Sequence, residues 1–123
     1  STDAKESVET LSNFVDLCVA TDLSPEDHHL MLGYNVKTPP HVRKSLQART
    51  VENEGTLKNL DVPVLLTHGD ADPVVSIGAA RKHADLIPDA DLSIYEGGGH
   101  SPFWEEPERF NNELREFADR ITS

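Results

Sequence analysis

Near residue 60 the hydrophobic pattern of this chain changes period, and that change limits what the chain can fold into. Val62-Pro63-Val64-Leu65-Leu66-Thr67-His68 is a short, almost continuous apolar run closed by Gly69. An unbroken run of that length predicts a strand buried on both faces of a parallel sheet. Ser76 to Ile87 then has Ile77, Ala80, Ala84 and Ile87 on one face, the spacing of a helix, and Pro88 to stop it. Asp91 to Glu96 alternates apolar and polar residues, a weaker strand, and leads into Gly97-Gly98-Gly99. Pro107 opens a last helix on which Phe110, Leu114, Phe117 and Ile121 are expected to form an inward stripe. The order is β-α-β-α, for which a right-handed crossover is expected.

Ahead of this lie helices and turns without a convincing strand. Lys5 to Ala20 places Leu11, Phe14, Val15 and Cys18 at helical spacing. Ser24-Pro25-Glu26-Asp27 is a sharp helix start, with Ser24 as N-cap, Pro25 in the first turn and acids behind it. Thr38-Pro39-Pro40 repeats the device for a helix through about Arg49, and a short helix spans about Glu54 to Leu60. The chain therefore divides into a helical segment, 1–60, and an α/β segment, 61–123. Two parallel strands have two open edges, and parallel sheets persist by burial between layers. The Val64–Leu66 run calls for neighbours that this sequence does not supply, so the sheet is expected to be incomplete in this chain. The missing strands would come from an N-terminal half of the same fold or from a companion chain.

Composition narrows the functional classes. The net charge is −11, from 11 basic and 22 acidic residues, with the basic residues scattered singly. A nucleic-acid surface needs clustered Lys and Arg, so no nucleic-acid partner is expected. No stretch approaches the roughly 20 apolar residues of a membrane helix, and no membrane partner is expected. Ser1 to Glu6 lack the basic and apolar regions of a signal peptide, and a cytoplasmic location is the expectation. The single cysteine, Cys18, rules out an intrachain disulfide and a cysteine-based metal site; on its apolar face it reads as a buried thiol.

The residues with chemistry stand at the C-terminal ends of the two strands, where open α/β sheets place their sites. His68-Gly69-Asp70-Ala71-Asp72-Pro73-Val74-Val75 follows the first, and Gly97-Gly98-Gly99-His100-Ser101-Pro102-Phe103-Trp104 the second. An Asp beside a His at adjacent strand ends suits nucleophilic catalysis. The imidazole takes a proton from a hydroxyl, while the carboxylate fixes its tautomer and stabilises the imidazolium. Taken singly, Asp72 before Pro73 is also ordinary turn chemistry, and His100 an ordinary loop histidine. A metal site from His68, Asp70, Asp72 and His100 is the less favoured alternative, because tight ligand spacing is missing. No metal and no cofactor are expected.

At these residues the chain resembles the α/β-hydrolase superfamily, in particular its haloperoxidase- and esterase-like branch. The resemblance rests on the strand-Gly-x-x-Asp-x-Val-Val element at Val64 to Val75 and on the Gly-His-Ser-Pro-Phe-Trp-Glu-Glu-Pro-Glu-Arg-Phe-Asn run at Gly99 to Asn111. Thr38-Pro39-Pro40-His41-Val42-Arg43 is similar to the end of that branch's helical cap. The resemblance implies the C-terminal portion of the fold, with 1–60 a cap or lid segment and 61–123 part of the hydrolase core. It implies Asp72 as triad acid, with Asp70 the rival, and His100 as base. The family's order of nucleophile, acid and histidine places the nucleophile ahead of Ser1. A Ser would make an ester hydrolase, and an Asp a dehalogenase or epoxide hydrolase. No G-x-S-x-G elbow occurs in the sequence, so the chain alone should be inert toward a small-molecule substrate. Phe14, Met31, Leu32, Tyr34 and Trp104 are candidate pocket residues, although helix packing explains them as readily. The competing expectation is a non-catalytic fragment or interaction module that binds a partner, or forms a homodimer, through its open sheet edge.

Overall fold

The computed structural model describes residues 3–123, which form two compact units. The first unit comprises the chain through Leu17 together with Asp22–Glu52; the second comprises Cys18–Thr21 and Asn53–Ser123.

In the first unit, helix α1 spans Ala4–Leu17, shorter at its end than the apolar spacing predicts. Asp3 starts it by accepting the Lys5 and Glu6 amides on Oδ1, satisfying donors that have no partner within the helix. Leu11 and Val15 are buried. Cys18, which belongs to the second unit, falls beyond the last turn rather than on the helix face, and is half-buried. Helix α2, Pro25–Val36, begins as its sequence prescribes: Ser24 accepts the Asp27 amide at 3.1 Å, and Pro25 fills the first turn. His28 ties it to α1, with Nε2 3.3 Å from Ser12 Oγ and 3.2 Å from Asp16 Oδ1. Helix α3, Pro40–Ala48, starts differently from expectation. Pro39 occupies the cap position with no side-chain cap, and the Thr38 amide instead donates to the Asn35 carbonyl at the end of α2.

The second unit holds α4 (Glu54–Lys58), β1 (Val64–Gly69), α5 (Ile77–Leu86), β2 (Ala90–Tyr95), α6 (Pro102–Glu105) and α7 (Pro107–Thr122). Strands β1 and β2 pair in parallel and in continuous register, from Val64 opposite Ala90 to Gly69 opposite Tyr95. Among the described residues the sheet has these two strands alone. Strand β1 is correspondingly only half-buried apart from Gly69, although its sequence is written for a central strand.

The last helix departs from expectation for the same reason. Phe110 and Phe117 are half-buried, but Leu114 and Ile121 are exposed, so the predicted inward stripe is covered only in part. What fixes α7 is a polar cluster. Glu113 accepts the Ser93 and Tyr95 hydroxyls on Oε2, both at 2.8 Å, and Arg109 Nε on Oε1 at 2.9 Å. Arg109 also donates to the Ile94 carbonyl and lies 3.9 Å from the centre of the Tyr95 ring. Tyr95 is completely buried at the end of β2. Burial, then the hydrogen bond and charge of Glu113, push its phenol up to about 12.

Candidate active site

Both strands release the chain on the same side, and backbone contacts zip their exits together. The Asp70 amide donates to the Tyr95 carbonyl at 3.1 Å, and the Ala71 amide to the Gly98 carbonyl at 3.0 Å. A Cβ on Gly69 would stand inside van der Waals contact with the Gly98 and Gly99 carbonyl oxygens, so only glycine allows the approach. Gly97 turns the second loop with a φ of +70°.

The two aspartates after β1 part company here. Asp70 Oδ1 accepts the Gly97 amide at 2.7 Å and so braces the glycine loop. Asp72 turns inward: its side chain is 2% exposed, and its Oδ2 lies 2.8 Å from Nδ1 of His100. Its Oδ1 accepts the Val74 and Val75 amides at 2.7 and 2.9 Å. Burial alone raises a carboxyl's pKa; here the hydrogen bond from His100 and those from Val75 and Val74 outweigh it, and Asp72 is held below its ordinary value. A carboxylate can only accept, so Nδ1 of His100 carries the shared proton. The other ring nitrogen, Nε2, then holds the lone pair of a base. The His100 side chain is 36% exposed, enough to meet a second molecule.

The glycine loop has a second brace that the sequence does not advertise. Glu105, in α6, accepts the Gly99 amide on Oε1 at 2.9 Å and the Ala20 amide on Oε2 at 2.7 Å. The Glu105-Glu106-Glu108 run reads in sequence as helix-start charge, yet its first member holds the residue just before His100. His68, at the end of β1, is the other neighbour that sequence reading left without a role in the pair. Its Nε2 lies 2.8 Å from the Val75 carbonyl oxygen and 3.3 Å from Asp72 Oδ2. The histidine-then-glycine ending of β1 was visible in the sequence, but its aim at Asp72 depends on how the 70–75 turn folds back. Burial first, and then the nearby charge of Asp72, raise the thiol of Cys18, which belongs to the same unit.

The candidate pocket residues are more dispersed. Phe14 is half-buried and lines an open cavity of about 410 Å³ within the first unit, alongside Leu11, Asn35 and Arg43. Met31 and Leu32 are half-buried on α2, and Tyr34 is 67% exposed there. Trp104 belongs to the second unit, on α6. Trp104 and Phe103 are exposed, and Phe103 meets the Phe110 ring edge-on at 6.1 Å. Among the described residues no group of three or more His, Cys, Asp or Glu side chains is arranged to hold a metal ion, and no helix is long and apolar enough to cross a membrane.

Comparison with known proteins agrees with this architecture. A non-heme chloroperoxidase, CPO-A1, of Kitasatospora aureofaciens is 45% identical over 67 residues, 52% of this chain and 24% of that protein. A pimeloyl-[acyl-carrier protein] methyl ester esterase of Nitrosomonas europaea is 31% identical over 116 residues, 87% of this chain and 45% of that protein. Among solved structures, the esterase RhEst1 from a Rhodococcus species superimposes with a TM-score of 0.86 at 36% identity, covering 98% of this chain and 44% of that one. This chain thus spans less than half the length of these relatives, and its two-stranded sheet with surrounding helices corresponds to the C-terminal portion of their fold. The sequence pattern of the alpha/beta hydrolase fold matches residues 30–107, well over half of the chain, and the chain belongs to that family.

Proposed function

We propose that this chain supplies the acid and the base of an ester hydrolase, Asp72 and His100, and that the nucleophile, a serine, lies on residues outside it. The observation that carries the reading is the 2.8 Å contact between Asp72 Oδ2 and His100 Nδ1, made by a buried carboxylate held ionised and a partly exposed imidazole.

In this reading Nε2 of His100 removes the proton from the serine hydroxyl as its oxygen adds to the ester carbonyl. The resulting imidazolium is stabilised by Asp72, which stays ionised. The same proton passes to the departing alkoxide, releasing an alcohol and leaving an acyl-enzyme. Water then repeats the sequence, giving up a proton to Nε2 and freeing the carboxylic acid. The amides that would hold the carbonyl oxygen's negative charge also lie outside this chain, because in such enzymes they come from the residue after the nucleophile and from an early loop. Two of the relatives are esterases, which favours a serine nucleophile over an aspartate one.

The test is hydrolysis of a chromogenic short-chain ester by the complete protein carrying this chain. His100→Ala is expected to lower kcat by at least about 10³-fold. Full activity in that variant would remove the assignment. The chloroperoxidase relative supports a second reading, a chloride-oxidising activity, and parallel assays with hydrogen peroxide and chloride distinguish the two.

A further inference from the structure

We infer that His68 is a positioning residue for the Asp72–His100 pair, holding the 72–75 turn and the carboxylate so that Oδ2 faces His100. The inference rests on the hydrolase reading above and adds a member to its machinery.

Three features of the geometry support it. First, the tautomer is determined. The Val75 carbonyl oxygen, 2.8 Å from His68 Nε2, can only accept, so Nε2 of His68 carries a hydrogen. Second, the same ring stands against the acid: Asp72 Oδ2, the oxygen that also receives His100, lies 3.3 Å from His68 Nε2, whose N–H is directed to the Val75 carbonyl. The carboxylate is thus bonded at both ends, Oδ1 by the Val74 and Val75 amides and Oδ2 by His100, while His68 ties down the turn at Val75. Third, the two side chains are largely enclosed, His68 15% and Asp72 2% exposed, although Val75 is 38% exposed.

His68 is also part of the paired sheet. It is the penultimate residue of β1, in register with Ile94 of β2, one residue before the glycine that lies against the second loop. The ring therefore transmits the position of the sheet to the turn that carries the acid. With an apolar side chain in its place, Val75 O would lose its donor and the Asp72 carboxylate the imidazole beside it, so the 72–75 turn would be held less firmly. Catalytic groups tolerate such looseness poorly: a misplacement of about 1 Å can cost about 10²-fold in rate.

The experiment compares His68→Leu with His68→Gln in the complete protein, on the same chromogenic ester. Glutamine carries an N–H near the position of Nε2; leucine carries none. His68→Leu is expected to lower kcat by about 10-fold or more with KM changed less than about twofold, and His68→Gln to recover most of the loss. If His68→Leu keeps its kcat, or if glutamine recovers nothing in a folded protein, the inference is wrong. Should the leucine variant fail to fold, the imidazole nitrogen NMR spectrum of the wild-type protein decides instead. It is expected to place the His68 proton on Nε2 and to move its resonance in Asp72→Asn; a proton on Nδ1 overturns the inference. His100→Ala separates the two levels. If that variant is active, the hydrolase reading itself fails; if it is inactive while His68→Leu is fully active, only the role of His68 does.

Discussion

Asp70 and Asp72 are two positions apart and face different partners: Asp70 accepts the amide of Gly97, whereas Asp72 meets the imidazole of His100. One carboxylate holds the loop and the other holds the His100 ring. Their roles in the proposed chemistry differ accordingly, and so do the consequences of neutralising each.

Asp72→Asn should preserve the shape of the site while replacing an acceptor by an amide. The amide can present its N–H₂ to His100, turning the ring to the wrong tautomer. A drop in kcat of about 10³- to 10⁴-fold is expected. Asp70→Asn retains an oxygen for the Gly97 amide and should cost no more than about 10-fold, through looseness of the loop. Steady-state kinetics of the two variants side by side would check this, and the reverse order would exchange the assignments.

Glu105→Gln isolates the second brace. A carboxylate can serve the Gly99 and Ala20 amides together, but a glutamine has one oxygen, and its amide hydrogens would oppose one of the two donors. A loss of about 0.5–1.5 kcal/mol of stability is expected from the lost hydrogen bond. Because Gly99 precedes His100, kcat should fall as well. Denaturant unfolding and ester hydrolysis measured on the same preparation would reveal whether both move.

Tyr95 predicts an alkaline limit. Its phenol is pushed up to about 12 in the folded protein, against about 10 for an unperturbed tyrosine. The folded state therefore binds this proton more tightly than the unfolded chain does. The resulting stabilisation is fully present below about pH 10 and is lost as pH rises through 12. Stability measured between pH 9 and 12 should fall more steeply in the wild type than in Tyr95→Phe, and equal slopes would contradict the assignment.

Much of this was legible in the sequence. The Val62–His68 run, the helical spacing of Ile77 to Ile87 and the prolines at 25, 40 and 107 are local signals, and the corresponding strand and helices form close to where they were expected. The family was legible from residue types at fixed offsets, since Gly69, Asp72 and His100 encode backbone approach and chemistry directly. Three features were decided by tertiary structure. Asp70 and Asp72 are chemically alike; the resemblance implied Asp72 as the partner of His100, but the role of Asp70 as the acceptor of the Gly97 amide comes from the fold of the turn. Glu105 and His68 look like surface charge and strand-end residue until backbone groups 85 and 7 positions away meet them. The exposure of Leu114 and Ile121 depends on which layers are present to cover them, whereas periodicity records only that a face is apolar. Local pattern thus determined the elements and the residue types of the site. Tertiary contacts determined which backbone amides and carbonyl Asp70, Glu105 and His68 meet around that pair.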